Sequence, residues 1–462
     1  MNLVLACIFA YILSQLAIAF WYSRTNRNEE DYLVAGRSLG PWMATFSVFA
    51  TWYGAETCIG AAGEAYAHGL SGVIADPFGY AMGIVLVGLF FAAALWKRGL
   101  LTLADLFRQR YGLGVARLAA IIMIPGSVLW AAAQVRAFGQ VLASASELSL
   151  LAAITLAAVV VIAYTAIGGM WSNSVLDLVQ GVVLLLGVTA LFAVFVSLGG
   201  LDVIAALPAE RTNFMNERTP WDALDTLAIP IFSTIAAQEL AARVLSVRSA
   251  KLAATTTVSA GLLYLTMGLI PVMIGLGAPA LLGGDTDHEQ VLAEFAEAKL
   301  PLPLYILFLG ALVSAILSTL SGALLVAASL AAHNVVLPLR PGLTDAKNLL
   351  ANRVAVVVFG VVAYVVALSS DSVYELVQEA GGLGSSGILV LMLFALWGAR
   401  FGGSLSAYGA LIAGTGVYIV AKHLWGFEQP YLLSLGAALT IYLLLIPIKR
   451  IGLFSRSVAA SA

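Results

Sequence analysis

Charge is what this sequence has least of: 10% of its 462 residues are Asp, Glu, Lys or Arg, against roughly a quarter in a soluble domain. A chain so poor in charge and 61% hydrophobic falls outside the ordinary soluble classes and reads as a polytopic membrane protein. It has no basic run and no stripe of basic and aromatic residues, and its formal net charge is −2, which excludes a nucleic-acid partner. The two cysteines, Cys7 and Cys58, both fall in apolar stretches, so neither a disulfide framework nor a thiolate metal centre is supported. His288, His333 and His423 are scattered and read as loop or interface residues rather than metal ligands. No stretch between apolar segments is long enough for a soluble domain, which removes attached kinase, nuclease and nucleotide-binding modules and leaves no sign of an enzyme. The first apolar segment lacks a basic flank and outruns a signal-peptide core, so it reads as a retained helix.

What is present is a succession of apolar runs. At about 20 residues per span, thirteen transmembrane helices are predicted near residues 2–22, 40–65, 73–96, 115–145, 149–168, 175–197, 223–242, 252–281, 303–336, 353–369, 372–397, 404–421 and 430–448. Of the connecting segments, one side collects eighteen Lys and Arg, from Arg24 and Arg27 through Arg243 and Arg248 to Lys449, Arg450 and Arg456. The other side collects four: Arg211, Arg218, Lys299 and Lys422. The positive-inside rule then places the amino terminus outside and the carboxyl terminus in the cytoplasm of a plasma membrane, a bacterial inner membrane on this reading. The outer connections 198–222 and 282–302 are acidic and are expected to form lids or vestibule walls.

The segment Ser47–Tyr66 carries Gly54 and the acid Glu56 at mid-depth, and a broken helix is expected there. Irregular backbone at that depth persists only where protein or a polar cavity satisfies it, and an intramembrane acid marks a functional site by default. A second break is expected at Pro230, which lacks a backbone donor. The two interrupted segments begin two five-helix groups, 40–197 and 223–397. Residues 1–39 precede them, 198–222 join them and 398–462 follow. Paired interruptions in inverted halves point to a transport site at the midplane. In the ninth segment Ser314, Ser318 and Ser321 share a helical face with Thr319 beside them, and hydroxyl and carbonyl oxygens suit an alkali cation.

Four stretches in order, DYLVAGRSLGPW at Asp31–Trp42, SVFATW, YTAIGGMWSNSVLDLVQ at Tyr164–Gln180 and the AILSTLSGALLVAAS run, resemble the sodium:solute symporter family over nearly the whole chain. The resemblance implies an all-α membrane protein with the leucine-transporter type of inverted five-helix repeat and sodium-driven uptake of a small organic solute by alternating access. It implies a sodium site made of the main-chain oxygens of Ala50, Tyr53 and Ala315 with the hydroxyls of Ser318 and Thr319. Asp177 and Ser321 match a second, or exit-path, sodium site of some relatives. Another of those relatives' serines is Gly322 here, so one sodium per solute is expected. Wording at Ala50–Trp52, Gly79–Ala92 and Trp130–Ala133 is similar to the choline-transporter branch, whose aromatic box matches Trp52, Tyr80 and Trp130. Aromatic faces hold a quaternary ammonium with about 2 kcal/mol or more when desolvated. Where that box has a tryptophan this chain has Ala237, and Glu56 and Gln238 add polar groups. An amino acid, a quaternary amine, a sugar and a carboxylate therefore stay open as solutes. A sensor on the same fold and a proton-coupled symporter are the alternative functions, and the short tail after Arg450 favours transport over sensing.

Two motifs are expected to be decoys. Gly69-Leu70-Ser71-Gly72 mimics an intramembrane serine protease but sits at an outer turn without an activating histidine. Gly382–Gly387 is a formal GxGxxG with no βαβ unit around it, so it loosens a helix instead of cradling a phosphate.

Overall fold

In hydrocarbon a chain must satisfy its own backbone, and with no water to help, an apolar run does so as a helix. The computed structural model describes residues 3–447 except 25–26, 145–147, 217, 284–285, 341, 371, 399 and 429. Lys449, Arg450, Arg456 and the rest of the carboxyl-terminal tail lie outside the described residues. The regular structure of the described residues is helical, with one isolated backbone bridge between Leu39 and Val247. Among the described residues nine helices are long and apolar enough to cross a membrane, or ten if one bent pair counts as a single span.

That count does not reproduce thirteen, and the reasons are local. The second expected helix is two short pieces, α1 (Pro41–Trp52) and α2 (Ala61–His68), with the break between them. After α3 (Ile74–Trp96) and α4 (Leu113–Ser144), the expected fifth and sixth helices form one stretch, Leu150–Ser197, interrupted at Gly169 (φ 71°, ψ −176°). Tyr164 reaches the Gln180 side chain across that point, although a straight helix would hold them about 24 Å apart. The chain therefore doubles back at Gly169, where the positive φ suits a residue without Cβ. The last apolar helix, Tyr431–Leu444, has 14 residues and is too short to pass as a span.

The second interruption is real but lies elsewhere than expected. Pro230 sits inside the continuous helix α5 (Pro220–Ala236), and the bend of 41° to α6 (Gln238–Leu245) comes at Ala237 (φ −73°, ψ 127°), about two turns later. A proline removes a single donor, which neighbouring groups in a membrane bundle can offset. α7 (Ala250–Leu282) follows, then α8 (Leu302–Ser329), the centre of the molecule. Every residue from Ala311 to Ser329 is buried. The next helix, α9 (Asp345–Ser369), is peripheral, and it turns Val354, Val358, Val361 and Val365 outward at helical spacing. An exposed valine stripe of this kind is what lipid as solvent requires. The expected loosening at Gly382–Gly387 appears as a break between α10 (Val373–Gly382) and α11 (Ser385–Leu396).

Candidate functional site

The first broken helix is held open by side chains from two others. At the end of α1, Tyr53 leaves helical geometry (φ −80°, ψ 77°), and the Gly54 amide turns back onto the Trp52 carbonyl. The freed amide of Ala55 donates to Gln134 Oε1 of α4 at 3.0 Å. From α8, the Ser318 hydroxyl lies 2.7 Å from the Ala50 carbonyl and 2.9 Å from that of Ala315. The Thr319 hydroxyl lies 3.2 and 3.1 Å from the same two carbonyls. Four of the five expected sodium ligands are thus one cluster of hard oxygens with no charged side chain in it. Tyr53, the fifth, stands at the break itself, and its hydroxyl donates to the Met267 carbonyl of α7. Gly54 is required by this closeness, since a Cβ there would lie 2.8 Å from Thr319 Oγ1 and 3.0 Å from Gln134 Oε1. Ser314 lies on the same helix but is bonded to Tyr11.

Asp177 and Ser321 lie next to this cluster without touching each other through a hydrogen bond. Ser47 donates to Asp177 Oδ2 at 2.6 Å, and Ser321 donates to the Ser318 carbonyl at 3.1 Å. Asp177 is also about two turns past Gly169, so it is too deep in its helix for the amino-terminal dipole, which fades within the first turn. Its counter-charge is Arg243 of α6, at 3.9 Å, with both side chains fully buried. The sequence reading placed Arg243 in a cytoplasmic loop; the structure buries it in the core. A Cβ on Gly322 would lie 2.7 Å from the Arg243 guanidinium, so the arginine occupies the room a serine side chain would need.

The two broken helices meet at the solute-sized cavity. Trp52 Nε1 donates to Thr234 Oγ1 of α5 at 3.1 Å, just before the second break. Trp52 and Trp130 pack edge to face with centroids 5.3 Å apart, and both line the cavity with Tyr80 and Gln238. Three of the expected aromatic walls are therefore gathered in one place. The Gln238 carbonyl oxygen, however, accepts from the Leu103 amide and so caps the short helix Leu103–Tyr111. Glu56 is buried, is bonded to Tyr80 and does not line this cavity.

Glu239 was not assigned a role from the sequence. Among the described residues lining the cavity it is the one that carries charge. Ser127 donates to its Oε1 at 2.5 Å. Glu239 and Arg243 are one turn apart in an apolar segment, and that pair of intramembrane charges was the available signal. The remaining motifs behave as scaffold. Ser71 bonds the His68 carbonyl, not its ring, and His333 bridges Glu29 and Asp105 at 3.2 Å each.

Comparison with known proteins bears on the family and the fold. The model of the sodium:solute symporter family matches residues 32–416. High-affinity choline transporter 1 of Caenorhabditis elegans is 28% identical over 405 residues, 81% of this chain and 70% of that protein. The Homo sapiens high affinity choline transporter 1 is 28% identical over 403 residues, 80% of this chain and 69% of that one. Among solved structures, a Na+-coupled sialic acid symporter in a substrate-bound outward-open state gives a TM-score of 0.84 at 18% identity, covering 97% of both chains. A nucleobase-cation-symport-1 family transporter with bromovinylhydantoin bound gives 0.61 at 17% identity over 92% of this chain and 95% of that one. At such identities the structures show the fold, which is the leucine-transporter type expected from the motifs. The chain belongs to the sodium:solute symporter family: it is an integral membrane protein and a secondary active transporter of a small organic solute, not an enzyme.

Proposed function

We propose that the transported solute is a small organic cation, a quaternary or protonated amine, taken up with one sodium ion. The observation that carries this reading is Glu239, a carboxylate bonded by Ser127 in a cavity otherwise walled by Trp52, Tyr80 and Trp130. A neutral sugar would gain hydrogen bonds from this acid but no charge pairing, and a carboxylate solute would be repelled by it. A cation gains from both the ring faces and the acid. The names of the choline-transporting relatives point the same way.

Sodium is assigned to the oxygens of Ala50, Ala315, Ser318 and Thr319, with Tyr53 at the break. Binding there ties α1 to α8 and so favours the state in which Trp52 completes the solute cavity. Linkage makes the effect mutual: whatever factor sodium adds to solute affinity, solute adds to sodium affinity. Residues 40–197 and 223–397 act as the two inverted halves that rock about this site. The amino terminus faces outward and the carboxyl terminus the cytoplasm of the plasma membrane, a bacterial inner membrane on this reading, which is supported by the Lys and Arg bias, seventeen to four once the buried Arg243 is set aside.

The test is a thermal-shift screen of purified protein, with and without sodium, against choline and other small amines, amino acids, sugars and carboxylates. Sodium-dependent stabilisation by an amine, lost in Glu239→Gln, is expected, followed by sodium-driven uptake of that amine in proteoliposomes. Sodium-dependent stabilisation by a sugar or carboxylate, with none by any cation, would overturn the cation assignment. Binding without flux would favour the sensor.

A further inference from the structure

His333 stands just past α8, in the turn Leu330–Val336, and both of its ring nitrogens face acids. Nδ1 lies 3.2 Å from Glu29 Oε1, and Nε2 lies 3.2 Å from Asp105 Oδ1. A neutral imidazole has one N–H and one lone pair, so it would donate to one carboxylate and turn a lone pair on the other. The imidazolium donates to both. The remaining contacts of the cluster use other hydrogens. Asn334 Nδ2 donates to Asp105 Oδ1 at 3.1 Å, and the Thr102 hydroxyl donates to the Asn334 side-chain oxygen at 2.9 Å. Asn352 Nδ2 donates to Glu29 Oε1 at 3.4 Å and to the Asn348 carbonyl at 3.0 Å. Asp105 Oδ2 accepts from the Leu101 and Thr102 amides at 3.1 and 2.9 Å. Each contact draws on a different hydrogen, and Asp105, accepting twice on each oxygen, has no lone pair left for a proton of its own. Glu29 yields a proton to imidazole, the stronger base by about two pK units.

Three elements meet at this ring. Glu29 begins the helix Glu29–Val34 ahead of the first half, Asp105 lies in the first turn of Leu103–Tyr111 within it, and His333 follows the helix that carries Ser318 and Thr319. Leu103–Tyr111 is held in turn at its Leu103 amide by Gln238, which lines the solute cavity. Nearby charges do not join the bridge. Glu30 is paired with Arg37, and Asp31 accepts from the Arg27 amide. Among the described residues none of Arg108, Arg110, Arg117, Asp345, Lys347 and Arg353 forms an ion pair with His333, Glu29 or Asp105. With 17, 15 and 14% of the His333, Glu29 and Asp105 side chains exposed, the bridge is shielded from much of the water that weakens surface pairs. We propose that the proton on His333 is a latch, which ties the end of α8 to the first half and must let go before the halves can rock open there to release sodium and solute. On the orientation proposed above this is the cytoplasmic side. When the ring gives its proton to water, one of its nitrogens turns a lone pair on a carboxylate, so one of the two bonds becomes a repulsion and the latch loosens. No bond other than N–H changes. Raised pH and opening at this end therefore favour each other.

The proposal rests on alternating access but not on which solute is carried, and its test uses none. In nuclear magnetic resonance spectra of purified, histidine-labelled protein at neutral pH, the ring signals lost in His333→Gln are expected to be those of an imidazolium, with both nitrogens protonated. Spin labels on cysteines placed at Gln109 and Ala346, both exposed, in a chain carrying Cys7→Ser, follow the distance between Leu103–Tyr111 and α9. A single short population at neutral pH is expected to gain a longer one as pH is raised. His333→Gln shows the longer population at neutral pH and no longer responds to pH. Should His333→Gln fail to fold, the pH series alone decides, because the longer population must grow as the imidazolium signals disappear. Neutral ring signals for His333, a distance that does not lengthen when the imidazolium is lost, or a pH response that persists in His333→Gln overturns the proposal.

Discussion

Removing the Thr319 hydroxyl is the sharpest test of the sodium assignment, because the structure separates its cost to folding from its cost to ion binding. Without sodium the Thr319 hydroxyl shares the Ala50 and Ala315 carbonyls at 3.2 and 3.1 Å with Ser318, which approaches both more closely, at 2.7 and 2.9 Å. In Thr319→Ala the single hydroxyl hydrogen of Ser318 is left to serve the two carbonyls, so the stability lost is that of one neutral hydrogen bond, about 0.5–1.5 kcal/mol. With sodium bound, the same oxygen is one of a handful of uncharged ligands to a full positive charge. Its loss then resembles a hydrogen bond to a charged group, about 1.5–3 kcal/mol, or roughly ten- to over a hundredfold in sodium affinity. Ser318→Ala, with the shorter contacts, is expected to cost at least as much. Sodium titrations followed by thermal shift measure both quantities: the sodium-free melting point moves little, while the half-saturating sodium concentration rises steeply. Solute affinity at saturating sodium stays near wild type. An unchanged sodium half-saturation in both variants refutes the ligand assignment.

Three further perturbations follow from particular contacts. Gly54→Ala puts a methyl 2.8 Å from Thr319 Oγ1, so it is expected to push the break away from α8 and to abolish sodium-dependent stabilisation in the same titration; normal sodium binding in this variant would mean that α1 and α8 are not drawn together. Asp177→Asn strands the buried Arg243 and is expected to cost about 3–5 kcal/mol, with Arg243→Gln in the same chain recovering part of it. Denaturant or thermal unfolding reads this, and no recovery in the double variant argues against the ion pair. Away from the spans, burial of Asp105 would raise its carboxyl, but bonds from His333 and the Thr102 and Leu101 amides hold it below the usual carboxylate range. A depressed acid stabilises the fold above its unfolded value, near about 3.9, and that contribution is lost as pH falls through the folded one. Asp105→Asn should therefore melt lower than wild type at neutral pH, with the gap closing below about pH 4; a gap that persists into acid would refute the attribution.

Much of the fold was legible because lipid imposes one rule on the whole chain. Apolar runs and the small-residue hydroxyl helix are each visible in a short window of sequence, and the described helices fall largely within those windows, though not one to a window. The misreadings are also local. Proline marks a missing donor, yet Pro230 is carried inside α5, and the break falls at Ala237, a residue with no helix-breaking character. Nothing in the residue itself marks the break; Trp52 of the other broken helix bonds the Thr234 side chain three residues earlier. The double-back at Gly169 was legible in principle, since Gly169 opens the gap between two expected helices and follows Gly168 at the end of the first. A loop was assumed where a single residue with positive φ is enough.

The site was legible only where its residues announce themselves in sequence. Ser318 and Thr319 share a turn of helix, and Ala50 and Tyr53 flank a glycine, so each half of the sodium cluster can be seen alone; their meeting across 269 residues between Ala50 and Thr319 came from the family resemblance, not from spacing. Arg243 shows the limit more clearly. In a one-dimensional count it is one more positive residue near a cytoplasmic end, and the orientation rule absorbs it without remainder. In the folded chain it reaches Asp177 of one half, leaves no room for a side chain at Gly322, and stands one turn from the carboxylate that faces the solute. A charge that is merely topogenic belongs in water at the membrane surface, whereas this one has no exposed side-chain area. The desolvation cost of that placement is of order several kcal/mol, and a packed bundle retains such a group only where an acid on a neighbouring element holds it. Asp177 is that acid, on the sodium side of the arginine, while Glu239, one turn away in the same helix, lies on its solute side.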